Sequence, residues 1–237
     1  MHSPVQLFNR AFLVLLGICL AVWFGWRTAY PTFAWHQRHT VTVVTPSGEV
    51  SGSAVTGMTV WTAPKTLPEA ATIGFELTGE ATVVEVLPGR YLFALVEGAA
   101  GWAGDTYAPL SVETDFRTRM RMVVRQRGNP PAEMPRDAWP RLVTFDDIAD
   151  PTSVRLVDPD DLASMFGPGV SLKAMTLEVT REGVTAGRVE AVLPWLEAVG
   201  RDRAYVKTWP PGRFAPGDIP PPDYLIGSSA FSTELFK

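Results

Sequence analysis

A single cysteine, Cys19, serves the whole 237-residue chain, so neither an intrachain disulfide nor a cysteine-based zinc site is available. The three histidines, His2, His36 and His39, all precede residue 40. Ser-His-Asp hydrolysis, histidine-ligated zinc and c-type haem attachment therefore lack their residues in everything that follows. Neither G-x-G-x-x-G nor G-x-x-x-x-G-K-[ST] occurs, which removes the usual phosphate cradle of nucleotide enzymes. No heptad run, collagen period or longer repeat is present. Positive charge is scarce: 21 Lys and Arg against 25 Asp and Glu leave a net charge of −4, which disfavours a nucleic-acid partner. With 46% apolar, 19% charged and 11% aromatic residues, the chain can bury a core and is not disordered in bulk. Its length suits one domain of roughly 150–200 residues with room to spare.

What the chain does have is a long apolar run. Ala11–Trp26 carries no charge, and Arg10 and Arg27 bracket it. As a helix it spans about 24 Å, slightly less than a hydrocarbon core, and the flanking arginines can snorkel to extend it. Trp23 and Trp26 suit one interface. The pattern predicts a transmembrane anchor over 11–27 with the lipid bilayer as its partner, a cytoplasmic leader over 1–10 and a juxtamembrane segment over 28–39. A cleaved signal peptide is the alternative, with its best small-residue site at Thr32-Phe33-Ala34. A lipobox is excluded because Ile18 precedes Cys19. Arg10 on one side nearly balances Arg27 and Arg38 on the other; the short leader is the cheaper piece to keep inside, which places the body outside. Beyond position 39, 18 basic residues face 25 acidic ones, so the body is not drawn to anionic headgroups by charge.

The body, residues 40–205, reads as one α+β exported domain. Thr40–Thr45 and Glu49–Val55 pair about Pro46-Ser47-Gly48, and Val55–Trp61 adds a strand with a bulge at Gly57. Residues 72–97 read as a three-stranded β-meander: Ile73, Phe75 and Leu77 alternate, Thr82–Leu87 follows, and Pro88-Gly89 turns into Tyr91–Val96. Residues 111–127 change to a helical stripe of Val112, Phe116, Met120, Val123 and Val124, with Ser111 as cap. Leu142–Phe145 and Leu172–Thr180 are further strands. Asp158 is expected to cap a helix that has Pro159 in its first turn, and Thr185 to cap another running to about Leu193 before Pro194. Two to three helices therefore pack on an antiparallel sheet. Residues 206–237 form a proline-rich strap, extended from Trp209 to Asp223.

Four features invite a functional reading. Ser51-Gly52-Ser53, placed after an anchor, resembles the nucleophile block of signal peptidases, in which a desolvated lysine activates a serine. That resemblance implies Ser53 as nucleophile and Lys65, or failing it Lys173, as base. It covers about four residues; Ala54 stands where the family has methionine, and Thr56 where it has proline. Arg117, Arg119, Arg121, Arg125 and Arg127 offer a phosphate site, against a solvated face paired with nearby acids. Asp146, Asp147, Asp150, Asp158, Asp160 and Asp161 suggest calcium, but no D-x-[DN]-x-[DN]-G loop frames them. The prolines of the strap include no P-x-x-P pair suited to SH3-type docking. No cofactor is expected.

A longer pattern runs through Leu142–Val154, Val157–Ala163, Phe166–Val170, Leu172-Lys173 and Gly187–Leu196. With the anchor and the first hairpin, it resembles a family of uncharacterised, singly anchored proteins of alphaproteobacteria. The resemblance implies a bacterial inner-membrane protein with its body in the periplasm and no assigned activity. The ending departs from the family's basic tail, closing on Thr233-Glu234-Leu235-Phe236-Lys237. The expectation is a non-catalytic accessory protein of the envelope or of a membrane complex, with a membrane-protein partner. An anchored Ser/Lys hydrolase and a small-ligand binding module are the alternatives.

Overall fold

The computed structural model describes residues 4–65, 71–109, 114–201, 205–207 and 226–233, with backbone alone at 4–11, 200–201 and 205–207. Along the chain come α1 (Pro4–Ala29), β1 (Thr32–Thr45), β2 (Gly48–Thr62), β3 (Ile73–Thr78), β4 (Thr82–Leu87), β5 (Arg90–Ala94), α2 (Ala99–Tyr107) and α3 (Phe116–Val124). Then follow β6 (Ala132–Glu133), β7 (Leu142–Phe145), β8 (Val154–Val157), α4 (Ala163–Phe166), β9 (Ser171–Thr180), α5 (Arg188–Val192), α6 (Leu196–Arg201), β10 (Tyr205–Lys207) and β11 (Ile226–Gly227). Helices and antiparallel sheets mix, as an α+β fold requires. Five helices follow β1 among the described residues, rather than two to three. The chain divides into two compact units, one from Met1–Phe33 and Thr59–Phe75, the other from Ala34–Met58 and Glu76–Lys237.

In the first unit, Phe12–Ala29 is long and apolar enough to cross a membrane, and none of it is buried. The helix stops because Pro31 cannot continue it, after Tyr30 N–H has bonded to Trp26 O (2.8 Å). Arg27 lies 5.1 Å from the Trp23 ring centroid. Thr62 N–H bonds to Pro31 O (3.3 Å) and Ala63 N–H to Thr72 O (2.9 Å), which ties the ends of β2 and β3 to the helix exit. Strand β1 begins at Thr32, so much of the segment expected to be juxtamembrane is sheet.

The second unit has two cores. A five-stranded sheet runs in the order β3-β2-β1-β9-β6, and β1 pairs antiparallel to β9 from His36↔Thr180 to Val44↔Ser171. Trp35, Gln37, His39, Val41 and Val43 alternate into the first core, opposite Met175, Leu177 and Val179. Helix α2 lies on this face: Gln37 Nε2 donates to Ala99 O (2.7 Å), and Tyr107 donates to Leu177 O (2.5 Å). Met120 and Val123 bring in α3.

The other sheet runs β4-β5-β7-β8, antiparallel throughout. Phe93 meets Phe145 and Phe231 edge-on at 5.6 and 5.9 Å, and Val189, Leu193, Leu196 and Ile226 close this second core. Such edge-to-face rings stabilise by about 0.5–1.5 kcal/mol each beyond their buried area. The chain's last described residues are integral to it: Ala81 N–H bonds to Phe231 O (2.7 Å) and Val96 N–H to Ala230 O (2.9 Å).

Several expectations need correction. β3, β4 and β5 exist, but they are not a meander: β3 lies beside β2 in the first sheet while β4 and β5 begin the second. The break comes at Thr78-Gly79-Glu80, where Gly79 has φ +126° and its own N–H and carbonyl bond to Thr233 instead of to a hairpin partner. Helix α3 starts at Phe116, with Asp115 as its cap, accepting from Arg117 N and Thr118 N; Ser111 and Val112 lie outside the described residues. Asp158 caps no helix. It holds a turn through Asp160 N (2.9 Å), and Asp161 secures the start of short α4 through Ser164 N (3.1 Å). Thr185 is likewise diverted: its hydroxyl accepts from Val55 N (3.1 Å), and α5 is capped from afar by Glu80. The stretch Trp209–Asp223 lies outside the described residues.

Candidate functional site

Gly52 sets the geometry of a polar cleft in the second unit. A Cβ built there would stand 1.9 Å from Val83 O, so β2 crosses β4 backbone to backbone, a contact that only glycine permits. Because neighbouring side chains alternate, Ser51 and Ser53 turn to the opposite side. There they line a cleft of about 400 Å³ with Arg38, Thr40, Pro131, Thr176 and Glu178. The β1–β9 register sets Arg38 opposite Glu178 and Thr40 opposite Thr176.

The charged groups of this cleft are already paired. Arg38 bonds to Glu178 at 2.6 Å and to Glu182 at 2.9 Å. Half-buried Glu178 holds the guanidinium on the sheet, and a guanidinium keeps its proton at any working pH. The carbonyl of Ser53 accepts from Arg188 (2.9 Å). Neither lysine that the signal-peptidase resemblance named is among the residues that line this cleft. Lys65 belongs to the first unit and Ser53 to the second. Lys173 is ion-paired to Glu49 at 2.6 Å and is absent from the cleft lining. The arrangement provides four hydroxyls and an arginine shared between two carboxylates.

Arg119 of the arginine run and several members of the aspartate cluster have structural partners. Arg119 donates to Ala108 O (2.5 Å) and pairs with Asp105 (3.1 Å). Asp146 accepts from Arg155, Asp147 from Ala149 N, Asp150 from Thr152 N, and Asp160 from Arg136. These carboxylates hold turns or arginines. Among the described residues, no group of three or more His, Cys, Asp or Glu is arranged to hold a metal.

Two buried ionisable groups escaped the sequence reading. His39 is 1% exposed, its Nδ1 lies 2.9 Å from Thr82 Oγ1, and its ring stands 4.8 Å from that of Trp102. Nε2 is buried without a hydrogen-bond partner. Burial lowers the His39 pKa to about 3, so the ring is neutral. Glu80 is also 1% exposed and accepts from Arg188 N (2.9 Å) and Val189 N (3.1 Å). Burial raises its pKa; those backbone donors oppose the rise, and nearby Glu190 adds to it. The period-two pattern Trp35-x-Gln37-x-His39-x-Val41-x-Val43 was the available signal for His39. No local pattern marks Glu80, which serves a helix more than 100 residues away.

Compared with protein-family models, curated proteins and solved structures, the chain gives no match.

Proposed function

We propose that this chain is a single-pass, non-catalytic accessory protein of the bacterial inner membrane, holding its α+β body in the periplasm for a membrane-protein partner. The observation that carries this reading is α1: Phe12–Ala29 presents every side chain outward, with none buried against the protein. A folded body that leaves such a helix uncovered in water would expose far more contiguous apolar surface than soluble proteins tolerate. Retention of the helix has its own support. Cleavage after Ala34 would fall inside β1 and place a charged ammonium on Trp35, which is 2% exposed. The resemblance to singly anchored alphaproteobacterial proteins agrees with this reading.

The test is topology. A reporter active only outside the cytoplasm, fused after Lys237, is expected to be active, and protein purified from membranes is expected to begin near Met1. Activity of a cytoplasm-only reporter would refute the orientation, and a mature chain beginning at Trp35 would refute the anchor.

A further inference from the structure

We propose that the ribbon formed by the end of β2 and the start of β3 is a second membrane contact, with Trp61, Ile73 and Phe75 entering the lipid interface beside the point where α1 leaves the bilayer. This rests on reading α1 as a retained anchor. Outside α1, the described residues expose only four large apolar side chains: Trp61 (37%), Ile73 (46%), Phe75 (60%) and Leu156. Three of the four belong to the same compact unit as the apolar helix. They occupy both faces of the ribbon. The Trp61 ring lies where a Cβ on Gly74 would project, 2.5–2.7 Å away, and strand alternation turns Ile73 and Phe75 to the other side. A ribbon packed on a protein core would bury one face and keep the other polar. Apolar groups on both faces fit immersion.

The helix sets the location. Thr62 N–H bonds to Pro31 O, two residues beyond the end of α1, so the ribbon stands at the helix exit. Trp23 and Trp26 occupy the adjoining end of that helix, Tyr30 follows it, and the Trp26 and Tyr30 rings meet at a tilt with centroids 4.7 Å apart. Tryptophan and tyrosine concentrate where hydrocarbon meets headgroups. Charge points the same way. On the ribbon side of the membrane this unit holds Arg27 and Lys65 against the single acid Glu69, whereas the other unit carries 18 of the 21 basic and 24 of the 25 acidic residues. The ribbon side is therefore drawn to anionic lipid while the acidic unit is not. Depth is limited by the backbone. β3 is an edge strand, and its outward peptide groups need water, which the interface supplies and the hydrocarbon centre does not.

The experiment uses the full chain, with Cys19→Ser as background, reconstituted in vesicles of phosphatidylcholine and phosphatidylglycerol. An environment-sensitive fluorophore is attached in turn at Ile73→Cys, Phe75→Cys, Val22→Cys within the helix, and Leu156→Cys. Nitroxides on the lipid headgroup, at the top of the acyl chain and near its end serve as shallow and deep quenchers. The expected result is loss of fluorescence at Ile73 and Phe75 with the shallow quenchers and at Val22 with the deep one, and none at Leu156. Quenching at Val22 without quenching at Ile73 and Phe75 overturns this proposal and leaves the anchor standing. No quenching at Val22 overturns the anchor and the proposal together. A blue-shifted but unquenched label at Ile73 and Phe75 means that protein covers the ribbon, a second copy included, and overturns the lipid assignment. Because both labelled sites are exposed, each checks the other against a folding defect.

Discussion

Acidification is expected to destabilise the protein through one imidazole. His39 sits neutral in the first core, with Thr82 on Nδ1 and nothing on Nε2. Protonating it in place would create a buried cation whose new N–H has no acceptor, which is why burial brings its pKa from 6.5 to about 3. The unfolded chain therefore takes up this proton first. Stability associated with the neutral ring is complete above pH 6.5 and is lost progressively as pH falls toward about 3. Within that window the loss runs at about 1.4 kcal/mol per pH unit, so lowering the pH from 6.5 to 5 removes about 2 kcal/mol. Glu80 works in the opposite direction, because its raised pKa favours the folded state as it becomes protonated on the way down to the ordinary value of 4.5, and it does so alike in wild type and variant. His39→Phe isolates the imidazole: it keeps an aromatic ring against Trp102 and removes the titration. Urea melts of the detergent-solubilised full chain at pH 7.5 and pH 5 measure the difference. Wild type is expected to lose about 2 kcal/mol more than His39→Phe between those pH values. Equal losses in the two proteins would refute the assignment of a buried neutral ring.

Substitutions at four further positions probe the packing. Gly52→Ala drives a methyl into Val83 O and is expected to cost about 3 kcal/mol, the upper end for overpacking, read as a lowered denaturation midpoint. Glu80→Ala leaves the first N–H groups of α5 without an acceptor and should cost about 1–3 kcal/mol, while Glu80→Gln, which retains an acceptor oxygen, should recover most of it in the same melt. Phe231→Ala opens the second core and is expected to cost about 3–5 kcal/mol, lowering the melting temperature by about 10 °C. Asp158→Ala removes an exposed turn bond and should cost about 0.5 kcal/mol, with calcium changing neither protein; calcium at 100 times its dissociation constant would otherwise stabilise by about 2.7 kcal/mol.

The features that were legible in the sequence are those whose cause is local. Pro46-Ser47-Gly48 turns β1 into β2, and Gly48 has the positive φ of +129° that such a turn asks of glycine. The apolar run predicts α1, the Pro88-Gly89 turn links β4 to β5, and the alternation over Leu172–Thr180 gives β9. The features that were missed depend on distant partners. Helix α2 begins after Gly98 with no side-chain cap, in an alanine- and glycine-rich segment whose helicity comes from packing Ala99, Trp102 and Ala103 onto β1 and β9. Thr185 and Asp158 carry the right chemistry for caps, but Val55 and Asp160 claim their oxygens first. The meander was an error of connectivity. Three strands in sequence read alike whether or not the chain changes sheets between them, and the change at Glu80 is stabilised by Ser232 and Thr233, some 150 residues later.

The same distinction bears on Ser51-Gly52-Ser53, where a small-residue triplet invites comparison with a catalytic serine. The close approach to Val83 accounts for the glycine, and alternation accounts for two small neighbours facing away from it. Packing thus produces the pattern without any requirement from chemistry. A serine at position 53 still needs a group that will take its proton. The charged neighbours lining its cleft are Arg38, which cannot accept a proton, and Glu178, whose carboxylate is committed to Arg38 at 2.6 Å. A broad serine-directed probe should therefore leave Ser53 unlabelled in the membrane-reconstituted chain. Labelling that vanished in Ser53→Ala and in either Lys65→Ala or Lys173→Ala would establish a Ser/Lys dyad and refute the packing account of the triplet.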